Sequence, residues 1–384
     1  PTLSAMATVA QPCSSQTQEE IQPFSLISQS VESARLEAAQ ACGVDQADVQ
    51  DIYLCTPTQE SLFTFSLKST KAYVAQRVAC IPSHIGLDAW KKAWEDVVAA
   101  SPILRSRLAP LQDPGLQQIV VKEGISWRYS TNLDQYLEND RSERMNLGQR
   151  LARYGLVSNE NDDKRYMVWT VHHVLYDGWS EPIVLKQVSD ALHNQSVEIQ
   201  TQMRNFVKYV RDTDETAMHD FWRRELKGAV GPQFPRLPSR DFMPTPNGLI
   251  EHQMALETGA GSPFTMATLV RGAWALVASQ YTGSDDVVFG ETLTGRDIAL
   301  PGVESIVGPL IATIPIRIQV RRSNTVESYL QTVQQTVLAR TPYQHMGMQN
   351  IRKVSQDAQY ACEAGTGLVI QPDPEYVGSE LGFE

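Results

Sequence analysis

Residues 165–180 read RYMVWTVHHVLYDGWS, and residues 181–192 continue EPIVLKQVSDAL. From Arg165 to His173 the run is rich in β-branched and aromatic residues and holds neither Gly nor Pro, which predicts a strand with at least one buried face. Val174 to Ser180 then forms a loop. Pro182 has no amide hydrogen to lose in a first helical turn, and Ile183, Val184, Val188 and Leu192 follow at helical spacing, so the unit is strand, loop, helix. Side chains alternate across a strand, so His172 and His173 point to opposite faces and cannot share a metal ion. One imidazole is expected to face a cleft and the other to face packing. Imidazole exchanges its proton near neutral pH, and a loop at a strand end is where catalytic groups are usually presented, so the pair marks a candidate general base. Asp177, followed by the permissive Gly178, can turn back either to fix the loop or to orient the imidazole through a hydrogen bond or buried ion pair.

Working outward, LDAWKKAWEDVVAA places Leu87, Trp90, Trp94, Val97 and Val98 on one helical face, and Ser101-Pro102 ends that helix. LQQIVVKEG and ISWRYS read as two short strands split by Gly124, expected to pair as a hairpin. A charged helical stretch, FVKYVRDTDETAMHDFWRREL, closes at Gly228, and the following GPQFPRLPSRDFMPTPNG carries five Pro, the best boundary between domains. Beyond it, a helix from Ser262-Pro263 to Gly283 leads into DDVVFGETLT and IATIPIRIQV. The latter strand alternates Ile314, Ile316, Ile318 and Val320 against Pro315, Arg317 and Gln319. The helix VESYLQTVQQTVLA and the strand GLVIQ follow, and the tail PDPEYVGSELGFE reads as lacking a closing core element.

With 384 residues and 42% hydrophobic content, the chain can fill two or three domain-sized cores. Its 33 Lys+Arg against 44 Asp+Glu give a net charge of −11, and no dense basic run appears, which argues against a nucleic-acid surface. Five cysteines, Cys13, Cys42, Cys55, Cys80 and Cys362, show no metal-like spacing and read as free thiols in a reducing compartment. There is no apolar run long enough to span a membrane and no basic, apolar leader, so a cytoplasmic protein without a membrane partner is expected. The polar opening, rich in Ser, Thr and Gln, reads as linker from a longer polypeptide.

HHVLYDGWS resembles the HHxxxDG signature of condensation domains from nonribosomal peptide synthetases, in the form found in fungi. DIYLCTPTQESL and SPILRSRL are similar to that family's first and second motifs, and YTGSDDVVFGETLTGRD, VGPLIATIPIR and YQHMGMQNIRKVS to later ones. Six matches in order, from Phe24 to Gln371, make the resemblance specific. It implies an α/β (α+β) fold of two chloramphenicol-acetyltransferase-like lobes in a V-shaped pseudo-dimer. On that template residues 1–43 are a linker and preamble helix after a carrier domain, 44–230 the first lobe, 231–248 the interlobe passage and 249–384 a second lobe incomplete at its C-terminus.

The resemblance also implies an activity, in which an acceptor amine attacks a carrier-bound acyl or peptidyl thioester. His173 is then the catalytic imidazole beside His172, Asp177 is chiefly structural, and Gly178 lends a backbone amide to the oxyanion. The implied ion pair joins Asp177 to the Arg of the second motif, Arg105. No metal and no cofactor of its own are expected, because phosphopantetheine arms arrive on carrier proteins. The implied partners are an upstream donor carrier domain, a downstream acceptor carrier domain if the position is internal, and adjacent synthetase modules. A terminal relative that releases its peptide by macrocyclisation is the alternative. Many such fungal domains read Ser where this chain has His172, which favours amide formation within an assembly line. A free-standing CoA-dependent acyltransferase and a non-catalytic docking module are further alternatives.

Overall fold

Local rules account for most element boundaries. α1 (Val31–Cys42) starts where the Ser30 side chain accepts the Ser33 amide, and it stops at Gly43, whose φ of 63° is the left-handed conformation that closes helices. β1 (Val49–Leu54), α2 (Pro57–Lys68) and β2 (Val74–Cys80) follow. α3 (Leu87–Ala100) buries Trp90, Trp94, Val97 and Val98, the stripe its spacing predicts, and ends just before Pro102. Next come β3 (Ser106–Pro110), β4 (Leu116–Val121), β5 (Trp127–Ser130), α4 (Leu133–Ser142), β6 (Ala152–Asn159), β7 (Lys164–His172), α5 (Ser180–Leu192) and α6 (Met203–Asp212). The computed structural model describes residues 20–68, 72–159, 164–197, 201–239, 242, 245, 248–254, 262–371 and 377–383.

These elements belong to a first compact unit, Glu20–Thr213 together with Thr294–Ile311 and Pro372–Glu384. Its larger sheet has the order β2-β7-β6-β5, antiparallel except for the parallel β6/β5 edge. β7 is interior to that sheet and is buried from Met167 onward, which is why its sequence is continuously apolar. The smaller sheet, β1-β4-β3, is antiparallel. The hairpin expected across Gly124 does not form. β4 lies between β1 and β3, whereas β5 joins β6 in the other sheet. The reason is tertiary: β4 already has neighbours on both edges, and between the two strands Glu123 is held by Arg107 and Arg150 at 2.7 Å each.

The tail also differs from its reading. Val377–Leu381 forms a 3-10 turn, the Cys80 amide donates to the Gly382 carbonyl at 2.9 Å, and Phe383 bridges to Ala79. Leu381 and Phe383 are buried in the first unit's core, with the Phe383 ring 6.3 Å from Trp94. This short segment is therefore a core element of that unit.

The second unit comprises Asp214–Leu293 and Ala312–Gln371, apart from residues 1–19. The single charged helix expected around residue 213 is two. α7 (Glu215–Glu225) restarts where the Asp214 side chain accepts the Ala217 amide. α8 (Met266–Thr282) runs to Gly283, with β8 (Asp286–Leu293), β9 (Ala312–Gln319), α9 (Val326–Arg340), α10 (Met348–Ile351), α11 (Gln356–Ala361) and β10 (Gly367–Val369) after it. Its sheet has the order β10-β8-β9, and Phe289, Ile314, Ile316, Ala275 and Trp222 centre its core. The two units alternate along the chain, whereas the sequence reading divides it once, at 231–248. The Pro-rich passage enters the second unit, where Phe234 packs on Trp274 at 5.8 Å. Residues 294–311 return to the first because Val303, Ile306, Val307 and Leu310 bury in its core.

Candidate active site

β7 ends at His172, and the chain turns at once. The His173 amide donates to the Tyr73 carbonyl at 2.8 Å, and the Leu175 amide donates to the His172 carbonyl at 3.0 Å. The alternation expected of the two histidines appears as a difference in burial. His172 is 0% exposed, whereas His173 is half-buried. His172 Nδ1 accepts the Val174 amide at 3.1 Å, so the ring proton sits on Nε2. Burial, and after it the neighbouring His173, pushes the His172 imidazole down to about 4. His172 is therefore neutral, packed 5.5 Å from the Phe63 ring, with no exposed surface. His173 lies against Tyr176 and Tyr73 instead.

Asp177 is fully buried, and its hydrogen-bond partners are Ser180, Leu310 and Arg296 rather than a histidine. Its Oδ1 accepts the Ser180 amide at 2.8 Å and the Ser180 hydroxyl at 2.5 Å, and its Oδ2 accepts the Leu310 amide at 2.9 Å. The cation beside it is Arg296, whose Nη2 lies 3.2 and 3.3 Å from the two carboxylate oxygens. Arg296 Nη1 also donates to the Val303 and Ile306 carbonyls at 2.8 and 3.0 Å. Burial lowers the Arg296 pKa, and Asp177 acts against that shift. The network pins the loop and the start of α5 to the returning segment 294–311.

The expected pairing of Asp177 with Arg105 is thus corrected. Arg105 donates to the carbonyls of Val98, Ala99 and Val121 at 3.0, 3.2 and 2.7 Å, and to Gln50 Oε1 at 2.6 Å. It sits at the entry to β3 in the smaller sheet, where it caps the carbonyl end of α3 and is satisfied without a carboxylate. Arg296 lies in the Gly295-Arg296-Asp297 end of a stretch quoted above, and a cation in a loop after a strand was the available signal. Gly178 and Trp179 are exposed at the loop's surface, and the Trp179 indole donates to the Glu304 carbonyl at 3.1 Å. A cleft of about 610 Å³ in the second unit has no His, Cys or Ser in its lining, so volume alone does not locate the chemistry. Among the described residues no cluster of His, Cys, Asp and Glu could hold a metal, and no helix is long and apolar enough to cross a membrane.

Mixed α/β units of this kind define the chloramphenicol-acetyltransferase-like fold class. The solved structures agree on the fold. The crystal structure of holo T3CT superposes with a TM-score of 0.70 at 20% identity, over 91% of this chain and 81% of that one. The starter condensation domain of the rhizomide synthetase RzmA, as a mutant, gives 0.65 at 16% identity, over 84% and 80%. The family model for the condensation domain matches residues 49–365, and the chain belongs to that family. It is 73% identical over its whole length to nonribosomal peptide synthetase sidD of Aspergillus fumigatus, covering 18% of that protein. To nonribosomal peptide synthetase 6 of Cochliobolus heterostrophus it is 44% identical, over 97% of this chain and 21% of that protein. The chain thus spans about a fifth of the length of these relatives.

Proposed function

We propose that this chain forms an amide between two carrier-bound substrates, with His173 as its catalytic residue. The observation that carries the reading is the contrast within the histidine pair. His172 is buried and neutral, with its Nδ1 holding the Val174 amide, and His173 is half-buried at the start of the loop that carries exposed Gly178. In the reaction the acceptor amine nitrogen attacks the thioester carbonyl carbon, the C–S bond breaks, and the carrier's thiol takes the leaving electron pair. His173 holds the amine and accepts the proton it sheds, then returns a proton to the departing thiolate. On this reading the Gly178 amide, in the exposed part of the loop, stabilises the developing oxyanion. Phosphopantetheine on upstream and downstream carrier domains supplies both thioesters. Asp177, paired with Arg296, keeps the loop in shape.

The test is intact-protein mass spectrometry of a donor carrier bearing an acyl group and an acceptor carrier bearing an amino acid, incubated with the full-length protein or its His173→Ala variant. The acceptor carrier is expected to gain the acyl mass only with His173 present. Release of a free cyclic product without an acceptor carrier would replace this reading by terminal macrocyclisation. Equal turnover of His173→Ala would remove the catalytic assignment.

A further inference from the structure

His173 is held by rings rather than by a hydrogen bond. Its Nδ1 is buried and has no hydrogen-bond partner among the described residues. The Tyr176 ring lies over it with centroids 4.9 Å apart and planes inclined by 22°, and Tyr73 meets it edge-on at 6.4 Å and 70°. Tyr176 is backed in turn by Trp169 at 6.2 Å, a residue with no exposed surface. The Tyr73 ring, 40% exposed, stacks on Phe65 with centroids 6.3 Å apart and planes inclined by 29°. The Tyr73 φ of 63° is left-handed, which is costly for a non-glycine residue and persists only where the surroundings overdetermine it. That same residue supplies the carbonyl that receives the His173 amide.

We propose that Tyr176 and Tyr73 are positioning residues of the amide-forming step, which clamp the His173 imidazole so that its free edge meets the attacking amine. The inference rests on the assignment of His173 made above. Burial pushes the Tyr176 phenol up to about 12, so the residue stays uncharged and works through its ring face. The alternative, that Tyr176 merely fills the loop, predicts that any large apolar side chain serves as well. The clamp predicts that an aromatic ring is required, because an imidazole finds its preferred stacking geometry only against another ring.

The experiment compares Tyr176→Phe, Tyr176→Leu, Tyr73→Asn and His173→Ala in the full-length protein with loaded carriers. Misplacing a reacting group by about 1 Å costs on the order of 100-fold in rate, so Tyr176→Leu is expected to lower kcat about 10- to 100-fold with KM for the acceptor carrier unchanged. Tyr176→Phe should restore kcat. Tyr73→Asn keeps a residue that tolerates the left-handed backbone, and with it the carbonyl, while removing the ring; kcat should again fall at constant KM. A second readout is independent of turnover. Carbethoxylation of His173 by diethyl pyrocarbonate, followed by peptide mass spectrometry, should speed up in Tyr176→Leu, where Nδ1 is uncovered, and match wild type in Tyr176→Phe. If Leu and Phe variants show equal kcat and equal modification while His173→Ala is inactive, the clamp is overturned and the catalytic assignment stands. If His173→Ala is active, both fall. Should Tyr176→Leu fail to fold, Tyr73→Asn decides alone, and unchanged kcat and modification there overturn the proposal.

Discussion

Asp177 and Arg296 should be coupled energetically, and Asp177 and Arg105 should not. Arg296→Met leaves a carboxylate with 0% exposed side chain facing only three neutral donors, from the Ser180 amide, the Ser180 hydroxyl and the Leu310 amide. Asp177→Asn leaves the Arg296 guanidinium, 2% exposed, among carbonyls. Removing one partner of a buried pair costs about 3–5 kcal/mol, and the donors that remain on Asp177 place Arg296→Met toward the lower end. The double variant strands neither charge, so a cycle should return a coupling of about 1–3 kcal/mol. The parallel cycle of Asp177→Asn with Arg105→Met should return about 0.5 kcal/mol or less, since the two residues share no partner. Equilibrium denaturation followed by tryptophan fluorescence reports chiefly on the relevant unit, whose core buries Trp90, Trp94 and Trp169 fully, against Trp222 in the second unit. Coupling of Asp177 to Arg105, or a loss below about 1 kcal/mol for Arg296→Met, would refute the electrostatic account.

Three further outcomes are expected. His172 titrates at about 4 when folded against 6.5 in an open chain, so the unfolded state binds more protons between those values and stability falls as the pH drops through that window. The loss should approach about 3 kcal/mol, and His172→Gln should flatten it in acid-denaturation curves. Phe383→Ala should destabilise the first unit by about 3–5 kcal/mol, measured by the same fluorescence transition, because the ring is buried beside Trp94. In the second unit, Arg340 has a 2% exposed side chain, no hydrogen bond to either terminal nitrogen, and Glu225 only at 4.0 Å. Arg340→Met should therefore cost less than breaking a well-made buried pair, about 3–5 kcal/mol, and a loss beyond about 3 kcal/mol in chemical denaturation would contradict this.

What could be read directly from the residues is what short-range rules govern. β7 and its loop, the opposed histidines, the two-Trp face of α3 and the alternation of β9 each follow from spacing within a dozen residues, because a helix or strand repeats its geometry locally. The order of six motifs then carried the family. Decisions taken between distant segments needed the folded chain. Arg105 and Arg296 are both arginines in plausible motifs, and only the return of residues 294–311 to the first core, driven by burial of Val303, Ile306 and Leu310, brings the second one to Asp177. A strand's own pattern says which face it buries but not which edge it shares, so β4 and β5 went to different sheets. The tail gave two apolar anchors, Leu381 and Phe383, too few to announce an element. Their worth depends on a cavity lined by Trp94 and Ala79, nearly three hundred residues earlier in the sequence. The ring stack on His173 lies between these cases, since Tyr176 is three residues away but its backing by Trp169 and the strained Tyr73 opposite it are set by tertiary packing.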